Sequence, residues 1–141
     1  MKRIVFIINL VFIYSCDKVD TKLVIHNTSN DTVFFYVKNN SVIDLRDQPF
    51  FYSNPNMKDI YKYEFCLFLN EQENCEVIND TWEERISRIP DGKIKIIIFK
   101  KQLLDTTRWE RIVNEQLYSK LIERDVEDLR ILNWVVEYDG K

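Results

Sequence analysis

The stretch that most constrains what this chain can fold into is its start. Residues 2 to 16 read KRIVFIINLVFIYSC, and Asp17 follows directly. The 11 residues from Ile4 to Tyr14 are apolar apart from Asn9, and the cationic pair Lys2 and Arg3 precedes them. A helix needs about 20 apolar residues to cross about 30 Å of hydrocarbon, so this run is too short to span a bilayer comfortably. A charged head, a short apolar centre and the small Ser15 just ahead of a cut have the form of a secretory signal segment. Three other readings compete with that one: a secreted protein cut near Ser15 with a free cysteine, an uncleaved anchor, and a buried strand. A core strand would not place Lys2 and Arg3 at the extreme N-terminus, so residues 1–16 are set apart from the fold.

The segment Ile13-Tyr14-Ser15-Cys16 resembles a bacterial lipobox, in which a peptidase cuts before a cysteine whose thiol carries a diacylglycerol. Ile13, Ser15 and Cys16 suit that pattern, whereas Tyr14 stands where a small residue is commoner. The resemblance implies lipidation at Cys16 and anchoring to a membrane of the cell envelope, on its periplasmic or surface face. Two or more acyl chains hold a protein stably, because each buried CH₂ is worth about 0.8 kcal/mol. Residues 17–21, DKVDT, then form a polar tether, and 22–141 are one globular domain.

Removing Lys2 and Arg3 from the 20 Lys plus Arg leaves 18 against 23 Asp plus Glu, a net charge near −5. An acidic domain is a poor partner for nucleic acid, which needs a basic face to displace counterions. Beyond Cys16 the chain has Cys66 and Cys75, and in an oxidising compartment two such thiols are expected to pair as a disulfide.

Along the domain, KLVIHN (22–27) and TVFFYVKN (32–39) are β-branched and aromatic runs separated by the turn formers TSND, the pattern of a hairpin. Residues 39–57, with two prolines and several Asn and Asp, are mostly loop. IYKYEFCLFL (60–69) alternates as a strand, NEQEN turns, and CEVI (75–78) returns antiparallel, which would set Cys66 opposite Cys75. TWEERISRI (81–89) starts with a capping box, Thr81 and Glu84, and is closed by Pro90, Asp91 and Gly92. KIKIIIFK (93–100) is apolar on both faces at its centre and belongs in mid-sheet. TRWERIVNEQL (107–117) repeats the cap pattern with Thr107 and Glu110 and puts Trp109, Ile112 and Val113 on one helical face. DVEDLRIL (125–132) is a third helix, capped by Asp125, with Val126, Leu129 and Leu132 inward. NWVVEY (133–138) closes as a strand whose best partner is KIKIIIFK. The resulting class is α+β: a small, mainly antiparallel sheet or sandwich of about six strands, with three short helices packed at one side.

The lipobox with HNTSNDTVFFY, TWEER, KIKIIIF, TRWERI and VEDLRILNWVVEY resembles the small uncharacterised lipoproteins of Bacteroides-type Gram-negative bacteria. The likeness covers most of the chain and implies an envelope location; its motifs are structural and carry no activity. Under that resemblance, Asp31-Thr32-Val33 and Asp105-Thr106-Thr107 look like O-glycosylation acceptors, although both also suit a plain turn or helix end.

Signs of catalysis are sparse. His26 is the only histidine and has no Cys or His at ligand spacing, so no metal or cofactor is expected. There is no G-x-S-x-G elbow, and glycine occurs only at 92 and 140, so no phosphate-cradling loop can be built. The acids of WEER and VEDL occupy helix first turns, where the dipole favours them. A dispersed pair such as Asp47 and Glu64 is the alternative, an envelope enzyme of hydrolase type. In PFFYSNP (49–55) three successive rings, Phe50, Phe51 and Tyr52, cannot all face a core, which leaves two readings, a loop folded over the core or a ligand or partner patch. The expected function is a lipid-anchored binding or interaction module, not an enzyme, for an envelope protein or glycan.

Overall fold

The computed structural model describes residues 18–48, 66–67 and 71–141. Its strands and helices run β1 (Val19–Asn27), β2 (Val33–Lys38), a 3-10 turn (Leu45–Asp47), β3 (Cys66–Leu67), β4 (Gln72–Ile78), α1 (Trp82–Ser87) and β5 (Ile94–Lys100). The chain continues through α2 (Lys101–Thr106), α3 (Trp109–Glu115), β6 (Lys120–Arg124), α4 (Val126–Ile131) and β7 (Val135–Tyr138). One sheet has the order β4-β1-β7 and the other β3-β2-β5-β6. Among the described residues only β1 and β7 run parallel, and the other pairings are antiparallel. The α+β class holds, with four short helices among the described residues where three were expected.

β5 explains why two sheets can stack with helices beyond them. Its side chains alternate between two separate cores, so a strand of consecutive isoleucines is buried on both faces. Ile94, Ile96 and Ile98 meet Leu23 and Ile25 of β1, Val33 and Phe35 of β2, Val136 of β7, and Trp82 and Ile86 of α1. Ile97 and Phe99 face the other way, against Phe34, Ile43, Leu104 of α2, and Trp109 and Ile112 of α3. The order of layers is therefore sheet, sheet, and then α2 and α3, while α1 and α4 pack into the core between the sheets. Each fully buried isoleucine contributes about 1.5–3 kcal/mol. Lys95, on the helix-facing side of β5, is only 4% exposed; its ammonium ion-pairs with Asp91 and donates to the Lys93 carbonyl at 3.0 Å.

Several expected pairings are replaced. β1 and β2 do not form a hairpin but lie in different sheets. The turn formers between them fold inward: the buried Asn27 accepts the Ser29 N–H at 3.1 Å and hydroxyl at 2.7 Å, and its amide donates to the Asp31 carbonyl at 2.8 Å. That bonded corner carries the chain from one sheet to the other. β4 pairs with β1, not with the segment around Cys66, which pairs with Val33 and Phe34 of β2. β7 adds to β1 and not to β5; the neighbour of β5 is β6, a strand the sequence pattern did not signal. β1 begins at Val19, inside the stretch expected to be tether.

Local signals fare better at the helices. α1 has its capping box, and Asp125 caps α4 by accepting the Asp128 N–H at 2.9 Å. α3, by contrast, begins after Arg108 with no side-chain cap, so the expected role of Thr107 is not taken up. Leu132, expected inward, is 40% exposed, because α4 ends at Ile131 and the chain then turns through positive φ at Asn133 (51°) and Trp134 (63°) into β7. Leu129 carries the inward contact instead.

Candidate ligand cleft

A hollow opens where the two sheets part. α1 forms one wall. Its first turn is fixed by the Thr81–Glu84 box, in which the Thr81 hydroxyl accepts the Glu84 N–H at 3.2 Å, and by Asp20 of β1, which accepts the Trp82 N–H at 3.1 Å. With the helix so held, Trp82 and Arg85, three residues apart, share one face. Trp82 is 1% exposed and donates its Nε1–H to the Cys75 carbonyl of β4 at 3.2 Å. The Arg85 guanidinium carbon lies 5.0 Å from the centre of the Trp82 ring, within cation–π range. Its Nε donates to the Asn39 side chain at 3.4 Å.

Residues 35–37 of β2 and 73–76 of β4 complete a cleft of about 470 Å³. A neighbouring recess of about 520 Å³ shares Val37 and Arg85 and runs out past Asn39 and Asn40. Volumes of this size suit a small ligand. Charges bordering the recess are matched: Lys38 pairs with Asp47, and Arg46 with Asp44 at 3.2 Å. Arg85 is different. Among the described residues it has no carboxylate within ion-pair distance, and burial pushes its pKa down against the weaker opposing pull of Cys75 and Asp80.

Cys75 lies on the β4 wall. Burial, reinforced by the charge of Glu73, pushes its thiol up to about 12, so it stays protonated and is no nucleophile at neutral pH. It carries a free thiol. The hairpin that would set Cys66 opposite Cys75 is not formed, since Cys75 is registered with Leu23 in one sheet and Cys66 with Phe34 in the other.

The other expected site residues are dispersed. Cys16, the Phe50, Phe51 and Tyr52 group, and Glu64 lie outside the described residues. Asp47 is engaged by Lys38 and by the Asp44 N–H at 2.8 Å, which leaves it a structural part. His26 stands on β1 with its Nδ1 3.6 Å from Glu137 of β7. Asp31 pairs with Lys100 at 2.9 Å, and Asp105 lies near the end of α2. Among the described residues no group of three or more His, Cys, Asp or Glu is placed to hold a metal ion, and no helix is long and apolar enough to cross a membrane.

Comparison of the chain with protein-family models, curated proteins and solved structures finds no match.

The residue that sequence reasoning passed over is Arg85. In TWEERISRI it looks like one more charge on a solvated helix. The available signal was its spacing, three after Trp82 and four before Ile89, both of them buried.

Proposed function

We propose that the protein is a lipid-anchored binding module of the cell envelope, tethered through Cys16, with the cleft between β2, β4 and α1 as its ligand site. The observation that carries the binding site is a half-buried guanidinium over an indole ring, at the mouth of an apolar-floored hollow, with no carboxylate of the described residues within ion-pair distance. A cation held that way costs desolvation energy that ion pairing normally offsets, and a ligand can supply the missing partner. The anchor is supported by the charged, short apolar start ending at Cys16.

Two measurements test the two halves. Metabolic labelling with a clickable fatty acid should tag the wild type and not Cys16→Ser; equal labelling of both refutes the anchor. A fragment screen followed by amide NMR should give shifts clustered at Val37, Cys75 and Arg85. Hits that cluster elsewhere on the domain, or none in the cleft, refute the site.

A further inference from the structure

We infer that the group anchoring a ligand in this cleft is a single carboxylate, held by the two terminal nitrogens of Arg85. The inference rests on the cleft being the ligand site and specifies what it takes. Three features of the site point there together.

The first is the state of the guanidinium itself. Nε is occupied by Asn39, and the Trp82 ring covers one face. The two terminal nitrogens have no hydrogen-bond partner among the described residues, and they remain open to water. Their parallel N–H bonds form a fork that matches the two oxygens of a carboxylate, and both the ring and the Asn39 contact limit the fork's freedom before anything binds.

The second is the charge around it. Lys38 and Arg46, the other cations bordering the adjoining recess, are already matched by Asp47 and Asp44. Arg85 has no such ion pair among the described residues, and Asp80 acts on it only at longer range. Glu73 and Glu76 line the same cleft from β4. Carboxylates on that wall disfavour a phosphate dianion or a polyanion near Arg85 more strongly than a single carboxylate.

The third is the floor. Val37 and Cys75, which are only partly buried, line the cleft over the closed core of Phe35 and Trp82, so the body of the ligand beyond its carboxylate meets apolar surface. An acid on an apolar or aromatic body fits all three conditions, whether it is a free small acid or the C-terminal end of a peptide.

The test compares acids with their neutral amides on the full exported chain in detergent, followed by amide NMR. Phenylacetate and phenylacetamide represent the free acid; N-acetylphenylalanine and its amide represent the peptide end; inorganic phosphate is the multiply charged probe. We expect at least one acid to bind in the cleft tenfold or more tightly than its amide, with Arg85→Gln abolishing the preference and Arg85→Lys retaining only part of it. Whichever pair shows the larger preference identifies the source. Equal binding of acid and amide in the cleft overturns the carboxylate but leaves the cleft as a ligand site. An acid preference that survives Arg85→Gln, or phosphate binding as tightly as the acids, also overturns it. If no probe reaches the cleft, the inference and the site fall together. Because Arg85 reaches solvent, Arg85→Gln should keep the wild-type spectrum away from the cleft, which separates loss of binding from loss of fold.

Discussion

Replacing Val24 and Val135 by cysteine tests the one parallel pairing among the described residues. These residues are direct partners on β1 and β7, and both are half-buried. Neighbouring strands lie about 4.8 Å apart, within reach of a disulfide. The bond would close a loop of about 110 residues, for which the chain-entropy model gives about 4.7 kcal/mol of stabilisation. Engineered bridges usually deliver less, because the native geometry resists them, so about 2–4 kcal/mol is the expected gain. For a domain of this size that corresponds to roughly 6–16 °C in Tm. The assay is calorimetry of oxidised and reduced Val24→Cys/Val135→Cys, with bond closure confirmed by non-reducing mass spectrometry and Cys66 and Cys75 replaced by serine to prevent mispairing. A pair that stays reduced under oxidant, or closes and lowers Tm, would refute β7 as the neighbour of β1.

Three further outcomes follow from the same geometry. Cys75 should alkylate at pH 8 far more slowly in the native protein than in urea, since burial holds its thiol at about 12; rapid native labelling followed by mass spectrometry would contradict its placement. Stability should decline on acidification: Lys95 holds Asp91 below the usual carboxylate range, and for Asp20 the Trp82 N–H and Lys22 outweigh the opposite effect of burial. A carboxylate whose folded pKa is lowered stabilises the fold above its unfolded pKa, about 3.9, and loses that contribution as pH falls through the folded value, so Tm should be level down to about pH 5 and fall below pH 4. A Tm that rises on acidification would reverse the sign of these contacts. Asn27→Ala should cost about 1–3 kcal/mol in urea denaturation, because it removes the acceptor of the buried Ser29 N–H and the amide donor to the Asp31 carbonyl; a loss under about 0.5 kcal/mol would mean the corner is held by something else.

The parts of this fold that were legible in the sequence are those whose cause is local. KIKIIIFK reveals a strand buried on both faces because consecutive isoleucines cannot all be inward on one face, and β5 does lie between two cores. Thr81 with Glu84, and Asp125, announce helix starts because the cap bonds reach only three residues. Partner choice is another matter. Val24, Val135 and Ile97 all suit a half-buried or buried strand, and nothing in an alternating pattern says which strand will lie beside which. The pairing of β1 with β7 is decided over more than a hundred residues by the inward corner at Asn27 and the left-handed turn at Asn133 and Trp134. Neither is visible as anything beyond turn chemistry.

Arg85 was hidden for the same physical reason. On an isolated α1 it would be a solvated charge between Glu84 and Ile86, and the sequence gives no reason to prefer it over Arg88. The two diverge only in the assembled domain: Arg88 pairs with Asp80 at 2.5 Å, whereas Arg85 is turned between the edge of β2 and the wall of β4, strands of different sheets. Those strands are brought to opposite sides of one cleft because the Asn27 corner prevents β1 and β2 from forming the hairpin their sequence suggests. A reading that assumed the hairpin had no cleft in which to place the arginine. The missed site and the mistaken pairing are thus one error, and a variant that loosened the corner, such as Asn27→Ala, should weaken acid binding at Arg85 although the two side chains belong to different elements of the domain.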